Sequence, residues 1–164
     1  MYKPLVGSIV AAAVLAAGAS AAGVTTLHTA NSTISGQGQK TFKENADVNS
    51  HGRVVYMLTG DSQSHPLCTS GCLSFWPPVT ASAAHPTATS QVKGKLAIWH
   101  HGSYRQVTLN GHPLYTYSGD SKAGVATGQG IKLGSSVWKA VPASGVKAAS
   151  TGTSTSTSTG AYGY

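Results

Sequence analysis

A short pattern occurs twice in this chain, and the duplication limits what the chain can fold into more than any single segment does. Ser50-His51-Gly52-Arg53-Val54-Val55-Tyr56-Met57-Leu58-Thr59-Gly60-Asp61-Ser62 aligns without a gap on Leu109-Asn110-Gly111-His112-Pro113-Leu114-Tyr115-Thr116-Tyr117-Ser118-Gly119-Asp120-Ser121. Gly52/Gly111, Tyr56/Tyr115, Gly60/Gly119, Asp61/Asp120 and Ser62/Ser121 coincide. Further on, Trp76-Pro77-Pro78-Val79 aligns with Trp138-Lys139-Ala140-Val141 after a few extra residues in the second copy. Each copy reads as turn, strand, Gly-Asp turn, variable loop and tryptophan. Solenoids need three or more stacked repeats, so two copies in a small chain predict pseudo-symmetric halves sharing one core. The first repeat is placed at about residues 50–80 and the second at about 109–142, within a folded unit spanning 42–147.

Local signals specify strands. Lys95 to Trp99 is apolar after its first residue, His101-Gly102 is turn-prone, and Tyr104 to Leu109 alternates with a period of two. Asn110-Gly111 follows, a pair suited to a two-residue hairpin turn because both residues accept positive φ. His112 to Tyr117 then reads as a returning strand, with Pro113 tolerable near its start. Tyr115 and Tyr117 fall on one face of it. No ordinary amphipathic helix is legible, and short helical turns fit only around Cys68 to Phe75. The expected fold is mainly β: a single compact antiparallel domain of two pseudo-symmetric repeats.

The ends differ from this unit in composition. Met1-Tyr2-Lys3-Pro4 supplies one basic side chain, Leu5 to Gly18 is apolar or small, and Ala19-Ser20-Ala21 offers a cleavage site, so residues 1–22 read as a signal peptide. The run is shorter than the roughly 20 apolar residues of a spanning helix, so no transmembrane span is expected in the mature protein. Residues 23–41 show no period of 2 or 3.6 and are expected to be a flexible leader. Residues 148–164, dominated by Ser, Thr and Gly, are expected to be a disordered tail.

Export into an oxidising compartment makes a disulfide the expected state of Cys68 and Cys72, and residues four apart in a tight turn lie within bridging range. So short a ring stabilises by roughly 2 kcal/mol in the chain-entropy view. Lys and Arg total 11 against 4 Asp and Glu, a formal charge of +7. That balance favours an anionic cell-surface polymer or an envelope protein as partner. Nucleic acid is not expected, because the lysines are scattered and form no basic stripe.

Leu114-Tyr115-Thr116-Tyr117-Ser118-Gly119-Asp120, together with the Cys68/Cys72 pair and Trp76-Pro77-Pro78, resembles a family of secreted repeats of unknown function. The same family is described as predicted lipoproteins with a Tyr-x-aromatic-x-x-Asp motif. The resemblance extends over about Gly52 to Gly145 and implies export and repetition without implying an activity. The first copy departs by carrying Leu58 at the aromatic position, and no cysteine stands near the cleavage site for a lipid. A secreted, periplasmic or cell-wall-associated protein is expected.

Candidate ligand-binding residues are Tyr56, Asp61, Trp76, Tyr115, Tyr117, Asp120 and Trp138. Asp61 and Asp120 have the composition of an acidic dyad, yet each sits in a Gly-Asp-Ser turn, where the side chain is expected to accept backbone N–H bonds two residues on. Stacked tyrosines suit a sugar ring or a quinone, and they equally suit cross-strand packing with bonded hydroxyls. A soft-metal set of His65, Cys68, Cys72 and His112, copper being the natural ion, is the alternative to the disulfide. No nucleophile elbow or phosphate loop is present. The expected role is therefore non-enzymatic and without cofactor: an exported envelope or extracellular binding or structural module, with redox or copper handling through the Cys68/Cys72 pair as the alternative.

Overall fold

The structure, a computed structural model, describes residues 26–149. The signal-peptide expectation for 1–22 lies outside the described residues, as does the tail expectation for 148–164 apart from its first two residues. In chain order the elements are β1 (Leu27–Gly36), β2 (Gln39–Asn49), β3 (Tyr56–Leu58), the helical turn α1 (Cys72–Phe75), β4 (Leu96–His101), β5 (Tyr104–Leu109), β6 (His112–Pro113), β7 (Val125–Gln129), β8 (Lys132–Leu133) and β9 (Ser136–Ala140). They form three small sheets, ordered β2-β1-β7, β3-β9-β8 and β4-β5-β6. The fold is mainly β.

Isolated bridges join these sheets, and the central one pairs Tyr56 with Tyr115. Its two backbone bonds are reciprocal: Tyr56 N–H donates to Tyr115 O at 2.8 Å and Tyr115 N–H to Tyr56 O at 2.9 Å. Equivalent bonds repeat outward on both sides. Val79 N–H donates to Leu114 O as Val141 N–H does to Val55 O, both at 2.9 Å. Ser118 N–H reaches Phe75 O at 2.9 Å as Thr59 N–H reaches Val137 O at 3.0 Å. An approximate two-fold axis therefore passes between Tyr56 and Tyr115. The strand period of two sends Val55 and Leu114 to one side and Tyr56 and Tyr115 to the other. One core gathers Leu27, Val55, Val79, Val107, Leu114 and Val141. The second gathers Ile34, Ala46, Val48, Tyr56, Trp76, Tyr115 and Trp138. Each fully buried Val or Leu contributes roughly 1.5–3 kcal/mol.

The hairpin at Asn110-Gly111 has φ of 50° and 85° at its two residues. The Asn110 carboxamide also accepts from Lys95 N–H at 2.7 Å and donates to Val146 O at 2.7 Å, which pins the turn to both neighbouring segments. The strand expected to run from His112 to Tyr117 is regular only at His112–Pro113. Leu114 N–H still donates to Val107 O at 3.0 Å, but Val107 N–H turns to Val79 O at 2.7 Å, and Tyr115 pairs with Tyr56 and Pro78 instead.

The flexible leader expected over 23–41 is corrected by the structure, since β1 and the start of β2 occupy its described part. Their few apolar residues, Leu27 and Ile34 above all, are fully buried but too widely spaced to show a period. Order comes from pairing, because β1 lies between β2, antiparallel, and β7, parallel. That parallel contact also departs from the all-antiparallel expectation. The β1/β2 hairpin occupies the place in the first half that β4/β5 occupies in the second: Val48 bridges Val54 as Thr108 pairs with Pro113, and Ala46 bridges Pro142 as Gln106 bridges Thr80.

Gly36 marks the closest approach of β1 to β7, where a Cβ would overlap the backbone of Gln129. Gly36→Ala is expected to lower stability by roughly 1–3 kcal/mol in a thermal or denaturant melt. In an unpaired leader the same change would be neutral or slightly stabilising.

Candidate functional site

The tyrosines and aspartates shared by the two copies meet at the pseudo-two-fold axis, and they do so crosswise. Tyr56 donates its hydroxyl proton to Asp120 Oδ2 at 2.9 Å, while Tyr115 donates to Asp61 Oδ2 at 2.8 Å. Each carboxylate holds its own half with its other oxygen. Asp61 Oδ1 accepts from Leu67 N–H at 2.8 Å, and Asp120 Oδ1 accepts from Thr127 N–H at 2.7 Å and the Thr127 hydroxyl at 2.8 Å. Those partners lie six and seven residues on, not two as the turn chemistry suggested, so each aspartate closes a whole loop. Gly128 N–H donates to the Tyr56 hydroxyl oxygen at 3.1 Å, and the Arg53 guanidinium donates to the Asp120 carbonyl. All four side chains are buried.

Burial, opposed by the bonds from Leu67 and Tyr115, raises the Asp61 carboxyl above its ordinary value. Burial, reinforced by the neighbouring carboxylate, also pushes both phenols up, so the tyrosines remain donors at every physiological pH. Nothing in this arrangement leaves a carboxylate free to meet a substrate.

The two tryptophans stack face to face across the axis, their centroids 3.7 Å apart and their planes 6° from parallel. Tyr56 meets Trp76 edge-on at 5.3 Å and Tyr115 meets Trp138 edge-on at 5.0 Å. Tyr117 stacks on the outer face of Trp76 at 4.5 Å. Its position in the first copy is Leu58, which is fully buried, so only the second copy presents an aromatic residue there.

Cys68 and Cys72 form a disulfide with Cα atoms 5.3 Å apart. This corrects the alternative metal set. Its sulfurs are bonded to each other, His65 is exposed, and His112 Nε2 is bonded to the Lys147 carbonyl at 2.9 Å. Among the described residues no group of His, Cys, Asp or Glu is placed to hold a metal ion.

Two features escaped the sequence reading. The first is Asp47, which is fully buried with both carboxylate oxygens lacking a hydrogen-bond partner. Val55 N–H donates to Asp47 O as Leu114 N–H does to Val107 O, and Asp47 N–H donates to Val141 O as Val107 N–H does to Val79 O. Asp47 thus stands where the other half has Val107. Burial pushes its carboxyl up to about 7. The second is a groove beside the tryptophan pair, bordered by the exposed side chains of Phe75 and Leu133, with Tyr117 as one wall.

These features define a duplicated β domain, braced by exchanged tyrosine–aspartate bonds and one disulfide. Residues 103–142, running from β5 through β9, match the model of a family described as a secreted repeat of unknown function. The match is narrower than the Gly52–Gly145 stretch read from the sequence. No curated protein and no solved structure matches the chain.

Two predictions follow from the buried acids. Asp120→Ala removes three accepted side-chain bonds and strands the Tyr56 hydroxyl, so a melt should show a loss of roughly 2–4 kcal/mol. For Asp47, between its ordinary value near 3.8 and about 7 the folded chain holds a proton that the unfolded chain has released. Stability should therefore fall as pH rises through that window and level off above it. Asp47→Val should be more stable at pH 8 by on the order of 1–2 kcal/mol, with the gap narrowing toward pH 4. Parallel stability curves for the two proteins would show that Asp47 does not titrate in this way.

Proposed function

We propose that this chain is an exported, non-enzymatic module that attaches to an anionic polymer of the cell envelope or the surrounding medium. The observation that carries the reading is where the few acidic residues lie. Asp47, Asp61 and Asp120 are buried, so Glu44 alone remains of the chain's four acids to offset the surface cations. Lys40, Lys43, Lys93, Lys95, Lys122, Lys132, Lys139 and Lys147 are all exposed. Such a surface repels other cations and draws in polyanions over a wide range of approach directions.

The non-enzymatic reading is supported by the acids themselves. Asp61 and Asp120 are fully occupied as structural acceptors. The redox alternative has less support, since Cys68 is wholly buried in its disulfide and only Cys72 has any surface exposure. Export agrees with the description of the matched family as secreted.

The test is retention of the purified protein on immobilised polygalacturonate and on teichoic acid, with neutral dextran as control. Retention on the acidic resins at 50 mM salt and release by 0.5 M is expected, because screening shortens the reach of surface charges to about 4–5 Å at the higher concentration. Equal retention on dextran, or retention indifferent to salt, contradicts the reading.

A further inference from the structure

The groove beside the tryptophan pair lies where the two halves meet and has a volume of about 410 Å³. Trp76 and Trp138 are almost wholly buried and form its floor, while Phe75 is 64% exposed and Leu133 39% exposed at its borders. Tyr117 is fixed as a wall. A Cβ on Gly128 would come within 2.6 Å of Trp76 Cη2 and 3.1 Å of the Tyr117 ring, and a Cβ on Gly119 would also collide with that ring. The bare glycine backbones leave room for the tyrosine ring and Trp76 stacks on it, so the wall is held in place before any ligand arrives. Lys132 is the one charged side chain lining the groove. The volume falls within the roughly 300–1,000 Å³ of small-ligand sites, and such sites favour junctions between structural units.

We infer that this groove holds a sugar ring of an anionic glycan, packed by its C–H face against Phe75, Tyr117 and Leu133, with its carboxylate or phosphate on the Lys132 ammonium. The inference rests on the polyanion reading above and assigns that reading a specific contact point. A pyranose offers a flat apolar face and a polar edge, which suits a groove with aromatic walls and open, water-facing borders. An apolar side chain or acyl tail leaves Lys132 unanswered. A free anion leaves the exposed phenyl ring of Phe75 uncovered. The surface bears a single half-buried acid, Glu44, and it does not line the groove, so no carboxylate there opposes the incoming charge. The first copy's Leu58 is in the core, so among the described residues the aromatic wall occurs once.

Trp76 and Trp138 report occupancy through their fluorescence. Titrations of the full chain with tetragalacturonate, with mannopentaose phosphate and with neutral maltotetraose are compared at low salt. Saturable change with one or both acidic oligosaccharides, and at least about tenfold weaker response to maltotetraose, is expected. The carboxylate and phosphate arms show which acid the site prefers. Phe75→Ser, at an exposed position, should weaken the acidic ligand about tenfold, and Lys132→Gln about threefold to tenfold, while Tyr104→Ser, an exposed aromatic outside the groove, should leave it unchanged. Unchanged affinity in Phe75→Ser or in Lys132→Gln, a response to maltotetraose equal to the acidic one, or no saturable change with either acidic oligosaccharide would overturn the inference. If the wild-type chain is still retained on polyanion resin in those cases, only the groove assignment fails. If retention is absent as well, the polyanion reading falls with it.

Discussion

Each half of this domain lacks a hydrogen bond that only the other half supplies. Asp61 and Asp120 are each committed, through one oxygen, to the loop that follows in their own half, and through the other to a tyrosine from the opposite half. A buried carboxylate missing one of these donors pays several kilocalories per mole in lost solvation, so partial assembly is penalised on both sides at once. The same logic keeps the tyrosines protonated, because a buried phenolate beside a carboxylate would add a second uncompensated charge. The reciprocal backbone bonds between Tyr56 and Tyr115 set the strand register that brings these side chains within reach, and the stacked tryptophans fill the space between them.

Within that shared frame the copies have diverged where the frame does not constrain them. Where one half has Val107 the other has Asp47, a difference that leaves a buried carboxylate without a hydrogen-bond partner. Leu58 is core in the first copy, while Tyr117 at the matching position comes to the surface and walls a groove. One half thus carries a buried titrating group and the other supplies the wall of the groove. A duplicated scaffold permits this, since the cross-braces hold both halves in place while their peripheries change.

The repeat was legible because it depends on residues that tolerate few replacements: glycines at tight turns, a tyrosine that needs both an apolar ring and a donor, and an aspartate that must accept several bonds. Asn110-Gly111 was legible for the same reason, since few pairs accept positive φ at both positions. β1 was not legible, because its order comes from neighbours on both edges and not from its own pattern, and side chains such as Ser32 are buried without being apolar. The duplication itself held the missing signal: the second copy's tyrosine strand is preceded by a hairpin, so the first copy's should be too. The crosswise pairing was hidden for a different reason. An Asp and a Tyr five residues apart are equally able to serve one another or their counterparts, and only the strand register chooses between the two. Phe75, Leu133 and Lys132 carried no motif, and their proximity arises from α1 and β8 meeting beside the same tryptophan pair.

Native-state hydrogen exchange at the Leu67 and Thr127 amides addresses the interdependence of the halves most directly. These amides serve Asp61 and Asp120 respectively, and Tyr56→Phe removes a donor from Asp120 alone. If the halves stand or fall together, the variant lowers protection at Leu67 by the same free energy as at Thr127. Loss of protection at Thr127 with Leu67 unchanged would show two halves that fold independently and merely touch.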